Sequence, residues 1–352
     1  MSTTKPDFAT LLPGIPWVES PFFSKIFSGL TIDDETRRIA IDLHLHGYAV
    51  LDFPEPDFDD MAEEIKSLLH DQFDWSMWRN SGHESGISLR AWDAWKHVES
   101  IRKIAVNPTI LDLLSQLYGR RAWPFQTLNF PVGSQQHIHT DAVHFNSNPE
   151  RFMCGVWVAL EDITLDNGPL VYYPGSHKWP IYTNEHIGYR VGDHAEKPNQ
   201  TIYEEMWRGL VDAHHAKPAH FVCKKGQALI WAANLLHGGS RQVNKDITRW
   251  SQVTHYFFQD CAYFTPMWSD PFDGLIYFRR PTNIATREVM NSRYVGRDIS
   301  ERFISESRNG HTDFDPALYL AANPDVAASG LDAHQHYVLH GKSELRPLRP
   351  MS

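Results

Sequence analysis

The most specific chemistry in this chain lies in two histidines and an aspartate. In the stretch Gln135-Gln136-His137-Ile138-His139-Thr140-Asp141, His139 and Asp141 stand two apart. On a strand, that spacing turns an imidazole and a carboxylate to the same side. Much further along, Leu235-Leu236-His237-Gly238-Gly239 offers a third donor. Two imidazoles and one carboxylate on one face of an octahedral metal leave positions open for a cosubstrate and dioxygen. That donor set is the one used by non-haem Fe(II) oxygenases.

The pair alone is a weak signal. Of 20 histidines, four precede a carboxylate by two residues: His97 (Glu99), His139 (Asp141), His194 (Glu196) and His311 (Asp313). The pairs at 194 and 311 fall in polar, loop-like stretches, and His97, after Trp92-Asp93-Ala94-Trp95, fits a structural histidine. His137 shares the strand parity of His139 and is a rival ligand. The flanks single out His139. Pro124 to Gly133 is an apolar-rich run closed by Pro131 and Gly133, a strand and then a turn. Phe152 to Leu160 is apolar throughout, as a fully buried strand would be, and Asp166-Asn167-Gly168-Pro169 is a hairpin turn signal before Leu170. Ala228 to Trp231 is a short strand that delivers His237, and Arg249 opens a further strand to Phe258. Short strands separated by turns predict a mainly β fold, a double-stranded β-helix (jelly roll, cupin-like) core with flanking helices.

Taken in order, His139-x-Asp141, Trp157-Val158-Ala159-Leu160-Glu161-Asp162, Asn167-Gly168-Pro169-Leu170, Pro174-Gly175-Ser176-His177, His237-Gly238-Gly239-Ser240 and Arg249 resemble the phytanoyl-CoA dioxygenase family of Fe(II)- and 2-oxoglutarate-dependent oxygenases. The resemblance spans roughly residues 30 to 265. It implies that His139, Asp141 and His237 bind Fe(II) and that Arg249 grips the far carboxylate of 2-oxoglutarate, with Arg241 a rival. A planar guanidinium suits that bidentate task. It also implies that Trp157 contacts the cosubstrate, that Asn129 and Gln126 hydrogen-bond it, and that Ser240 adds a further polar contact. The implied reaction consumes O2, converts 2-oxoglutarate to succinate and CO2, and hydroxylates an aliphatic C–H bond of a small organic substrate. Related halogenases carry a small residue where this chain has Asp141, so hydroxylation, or desaturation, is the expected outcome. Three other readings stay open: a cupin-type isomerase or hydrolase, which needs no Arg249; an inactive ligand-binding protein of the same fold; and a scaffold acting through its C-terminus.

The elements that must position this set are legible along the chain. At 352 residues, with 42% hydrophobic and 22% charged residues, the chain is long enough for one large domain and an appendage. A net charge of −10 without a dense basic run argues against nucleic acid. Three scattered cysteines imply no disulfide framework, and neither a signal peptide nor an apolar run long enough for a membrane span is visible. These features predict a cytoplasmic protein. An aromatic, Pro-rich arm leads to a helix capped at Thr31 or Asp33 that ends at Gly47, and a strand follows from Tyr48 to Leu51. His44 and His46, at that helix's end, are expected to be structural. Further helices are predicted over 57–73, 108–118 and 203–214, and near 286–292. His214 and His215 would cap the third of these. The segment from Trp75 to Trp95, with Arg79, His83, Glu84, Ser88 and Arg90, is a candidate substrate wall. Residues 178–222 interrupt the sheet as a lid-like insertion. The oxygenase domain is thus expected over 1–308. Residues 309–352 resemble a small helical module found appended to bacterial enzymes. Its His334, His336 and His340 are expected to be structural, and docking or oligomerisation is its expected role.

Overall fold

The computed structural model describes residues 7–80, 89–191, 198–308, 314–341, 344 and 346–350. The His194 and His311 pairs, together with His83, Glu84 and Ser88, lie outside them.

The arm lies against the body: Val18 is buried, and Arg120 Nη2 donates to Pro13 O at 2.7 Å. Helix α1 (Asp34–His46) begins where Asp33 Oδ1 accepts the Thr36 N–H at 2.7 Å and ends at Gly47, whose φ is 81°. Strand β1 (Tyr48–Asp52) follows, then α2 (Phe58–His70), β2 (Ala91–Trp92), α3 (Glu99–Ala105) and α4 (Pro108–Tyr118). His44 is a packing residue: its Nδ1 lies 2.8 Å from Val18 O and its ring stacks on Phe23.

Further strands are β3 (Ala122–Phe130), β4 (Asn146–Asn148), β5 (Met153–Ala159), β6 (Leu170–Tyr172), β7 (Ala219–His220), β8 (Gln227–Ala232), β9 (His237–Gly239), β10 (Ser251–Phe258) and β11 (Ala262–Phe264), with a small hairpin of Arg293–Tyr294 and Arg297–Asp298 beyond them. A six-stranded antiparallel sheet runs in the order β1-β8-β5-β10-β3-β2, and a smaller one in the order β7-β6-β9. Together they make the predicted jelly roll. Strand alternation gives the large sheet two different buried faces. Val156, Val158 and Ile230 pack beneath the helices with Ile39, Ile65 and Leu114, whereas Trp157, Ala159 and Leu229 face the small sheet with Leu170, Tyr172 and Phe221. Burial on both faces is why β5 is apolar at every position.

Three expectations change. Asp166 to Pro169 is no hairpin turn, because β6 pairs with β7 and β9 rather than with β5. The turn instead carries the chain from one sheet to the other, held by Asn167 Nδ2 donating to Asp162 O and Thr248 O. The segment near 286–292 forms no helix: Arg287 has a φ of 64° and Thr282 bridges Val289, so the chain turns back on itself. His139 and Asp141 do not share a strand; His139 makes a single bridge and Asp141 opens a one-turn 3-10 helix.

Helix α5 (Asn199–Ala213) lies in the insertion and packs Tyr203 and Trp207 on Val143, Leu236 and Met267. His214 caps it and stacks on Trp179. Near the C-terminus, short helices over Pro316–Ala322, Pro324–Ser329 and Ala333–His336 enclose Phe314, Tyr319, Val326 and Tyr337, which share a cluster with Val191 and Leu275. His336 Nδ1 pairs with Tyr319 OH at 2.9 Å, and His334 is buried. No helix among the described residues is long and apolar enough to cross a membrane.

Burial pushes the imidazoles of His177 and His334 down to about 4, against about 6.5 for a free histidine. Between these values the unfolded chain binds more protons than the folded one. Their contribution to stability is therefore present above pH 6.5 and lost as pH falls toward 4. The thermal midpoint is expected to drop on acidification across that window, and His177→Gln to flatten the slope. A midpoint independent of pH there would refute this.

Candidate active site

The site is assembled by a backbone exchange. His139 N–H donates to His237 O at 2.8 Å, and His237 N–H donates to His139 O at 2.9 Å. Residues far apart in sequence are thereby fixed face to face, with ring centroids 4.5 Å apart. One step on, Gly239 N–H donates to Gln136 O. A Cβ at Gly239 would land on Ser134 Oγ and Gln135 N, so β9 approaches this stretch more closely than a side chain allows. The glycines after His237 are a packing requirement of the site.

Each imidazole is then oriented by the carbonyl two residues before it. His139 Nδ1 lies 2.8 Å from His137 O, and His237 Nδ1 lies 2.9 Å from Leu235 O. With Nδ1 protonated toward a carbonyl, Nε2 carries the free lone pair. Both Nε2 atoms lie 3.9 Å from the Asp141 carboxylate. Among the described residues, these three alone gather His, Cys or carboxylate ligand atoms, all within 4.8 Å of one another. Burial lowers the His139 pKa, and neighbouring His237 lowers it further. Burial alone would raise the Asp141 carboxyl, but His237, His255 and His139 around it and the Trp231 N–H outweigh that and hold it low. His139 as neutral imidazole and Asp141 as carboxylate are the forms a divalent cation requires.

Trp231 Nε1 donates to Asp141 Oδ2 at 2.7 Å. Its ring occupies the space above Gly155, where a Cβ would collide with it. His255 Nε2 lies 3.7 Å from the same carboxylate oxygen, and its Nδ1 lies 3.0 Å from Gln126 Oε1. Gln126 therefore lines the cavity and steadies His255. Asn129 stands on the opposite face of β3 from Gln126, Leu128 and Phe130, because alternate residues point apart. It receives no access to the cavity and donates to Gln252 at 3.3 Å. Ser240 also lies off the cavity wall; the chain turns there so that its N–H meets Pro169 O.

Arg249 is 1% exposed, and its guanidinium lies 4.9 Å over the Trp157 ring. Nε donates to Gly168 O at 3.1 Å and Nη1 to Ser251 Oγ at 2.8 Å. No carboxylate pairs with it among the described residues. Burial pushes its pKa down to about 10, with Glu161 opposing at a distance. A buried guanidinium without a counter-ion is costly unless a ligand supplies one. Arg241, by contrast, is exposed and outside this cavity.

The triad, Arg249 and Trp157 line one cavity of about 600 Å³. Arg90 and Trp92 form part of its wall, as do Gln200 and Glu204 of α5. Of the other histidines, His97 is exposed, and His137 lies 3.6 Å from Glu204, away from the triad. His144 lines the cavity and is pushed by burial to about 4. Sequence reasoning missed His255, Trp231 and Arg279. His255 could have been found, because Ser251, Val253 and His255 share one parity on β10, which Arg249 just before it continues. Arg279 follows a stretch with no periodicity, and nothing local marks it.

The Trp231 N–H aims the carboxylate, so Trp231→Phe is expected to weaken Co(II) or Fe(II) binding by roughly ten- to hundredfold while His97→Ala leaves it alone. Competition with a chelator measures this; an unchanged affinity in Trp231→Phe would show that the N–H does not aim the ligand.

The family model for phytanoyl-CoA dioxygenase (PhyH) matches residues 45–250. The peroxisomal phytanoyl-CoA dioxygenase of Rattus norvegicus is 28% identical over 131 residues, covering 37% of this chain and 36% of that protein. The chain thus matches about a third of the length of that relative. Among solved structures, the non-haem alpha-ketoglutarate-dependent carbocyclase SnoK from nogalamycin biosynthesis overlays with a TM-score of 0.49 at 15% identity, covering 68% of this chain and 88% of that one. EctD from S. alaskensis with 2-oxoglutarate and 5-hydroxyectoine overlays at 0.47 and 18% identity, covering 65% and 79%. The family model spans more than half of this sequence and contains His139, Asp141, His237 and Arg249, so the chain belongs to the phytanoyl-CoA dioxygenase family.

Proposed function

We propose that this chain is a non-haem Fe(II)- and 2-oxoglutarate-dependent dioxygenase that hydroxylates an aliphatic C–H bond of a small organic substrate. The observation that carries this reading is one cavity holding both a two-His, one-carboxylate cluster and a buried guanidinium with no carboxylate partner among the described residues. A metal-dependent isomerase or hydrolase would use the cluster and leave Arg249 unexplained. An inactive binding protein would leave the aimed Nε2 atoms unexplained.

His139, Asp141 and His237 would hold Fe(II), which supplies the chemistry that couples O2 and decarboxylation of 2-oxoglutarate to succinate and CO2 with oxidation of the substrate. Arg249 would take the C5 carboxylate. Gly168 O and Ser251 Oγ preset its fork, and Trp157 covers one face against water. The imidazole of His144 stays neutral near pH 7, so it adds no positive charge beside the cluster. Glu204 and Gln200 of α5 close one side of the cavity, the part expected of the insertion. Residues 1–308 would form this oxygenase unit, with the C-terminal helices as a docking or oligomerisation element.

Anaerobic protein given Fe(II) and 2-oxoglutarate together is expected to develop a weak visible charge-transfer band that neither produces alone. Alanine at His139, Asp141 or His237 should abolish it, and Arg249→Gln should weaken 2-oxoglutarate binding about tenfold or more. No band and no 2-oxoglutarate binding by the wild type would overturn the reading.

A further inference from the structure

A second guanidinium lines the same cavity, and the cosubstrate does not account for it. Arg279 Nη1 donates to Thr265 Oγ1 at 3.1 Å and lies 3.5 Å from His144 O, and the guanidinium sits 4.6 Å over the Phe145 ring. These contacts hold the side chain in place. They do not neutralise it: its Nε is shut off from solvent without a hydrogen-bond partner. Among the described residues, no carboxylate pairs with it. Asp93 is the carboxylate whose field reaches it, and Asp93 is already engaged by the Thr127 N–H at 3.1 Å and Trp95 Nε1 at 3.2 Å. The cavity's own carboxylates are Asp141, inside the triad, and Glu204, held by Gln200 at 3.0 Å and by Arg208 at 3.5 Å.

Strand β10 separates the two arginines. Arg249 bonds to Ser251 at one end, and Phe145, beneath Arg279, packs on His255 further along. Four residues of strand span about 14 Å. His255 is also the neighbour of Asp141, so Arg279 stands on the triad's other side from Arg249. Arg90, over Trp92 at 5.0 Å, adds a further cation to the wall and has no ion pair among the described residues.

We propose that the substrate is an organic anion and that Arg279 binds its oxyanion group, a planar carboxylate or a tetrahedral sulfate or phosphate, which anchors the molecule beside the triad. This rests on the dioxygenase reading for the word substrate, but the anion site itself rests on Arg279 alone. A guanidinium meets either kind of oxyanion with charge-assisted hydrogen bonds, and with Nη1 held by Thr265 and His144 O the fork is already fixed against the cavity wall.

The test is a calorimetric titration of the metal-free full chain in the Arg249→Gln background, which removes the first guanidinium. Sodium sulfate, phosphate and acetate are the probes, each at constant ionic strength. Saturable binding by at least one of them is expected. Adding Arg279→Gln should weaken it about tenfold or more, Arg279→Lys should restore part of it, and Arg241→Gln should leave it intact. Co(II) binding to the triad should survive in Arg279→Gln, which separates a lost anion site from a collapsed cavity. Tighter acetate than sulfate would mark a carboxylic acid, and the reverse order a sulfate or phosphate ester; both support the proposal. Absence of saturable binding by all three anions would overturn it, as would binding equal with and without Arg279. Loss of 2-oxoglutarate affinity in Arg279→Gln alone would overturn it too, by assigning Arg279 to the cosubstrate. If the wild type binds no 2-oxoglutarate while Arg279-dependent anion binding persists, the dioxygenase reading falls and the anion site stands.

Discussion

The reciprocal pair of backbone hydrogen bonds between His139 and His237 is the constraint on which the rest of the site depends. Main-chain bonds hold their geometry whatever the side chains do, so the two imidazoles start from fixed Cα positions. A carbonyl two residues upstream then sets each ring's tilt and tautomer. The remaining parts adapt to that pair. Gly239 lets the strands close to this distance. Asp141 turns into a short helix so that its carboxylate meets both rings, and Trp231, seated over Gly155, aims it. The jelly roll supplies the two sheet edges that bring β9 against residues 136–139.

Electrostatics divides the cavity. Around the cluster, burial keeps the His139 and His144 imidazoles neutral while the Asp141 carboxylate stays ionised, which suits a divalent cation. Away from the cluster, three arginines line the wall and none has a carboxylate partner among the described residues. Of these only Arg249 is fully buried, and a buried guanidinium is costly without a ligand to neutralise it. With the proposed anion on Arg279, the cavity would suit one cation between two anions.

The layers around the cavity follow from what each face must bury. The outer face of the large sheet packs on helices and is mostly apolar, with a buried polar group of Asn129, Gln252 and Thr254 bonded to the Ile101 carbonyl. The inner face mixes apolar side chains with Arg249, Ser251 and His255 because it is half core and half cavity wall. Helix α5 is anchored in the same way at one edge. Tyr203 OH donates to Asn184 Oδ1, and Asn184 Nδ2 donates to the carbonyls of Met267 and Ser269, which ties the insertion to the segment leading toward Arg279.

Sequence by itself determined the local features: a helix start capped at Thr31 or Asp33, a buried strand over 152–160 and a turn around Gly168, while the resemblance supplied His139, Asp141, His237 and Arg249. Side-chain alternation and helix-capping chemistry act over a few residues, and the ordered motifs resembled a known family. The resemblance misplaced Asn129 and Ser240, which a parity count on β3 and the turn after β9 put off the cavity. Tertiary structure brought the His139–Asp141 pair to its third ligand, through the β9 contact with His237. It also decided that Trp231 and His255 face Asp141 and that Arg279 reaches the cavity from a segment without periodic pattern. Those are contacts between elements distant in sequence, and no local rule encodes a distance across a fold.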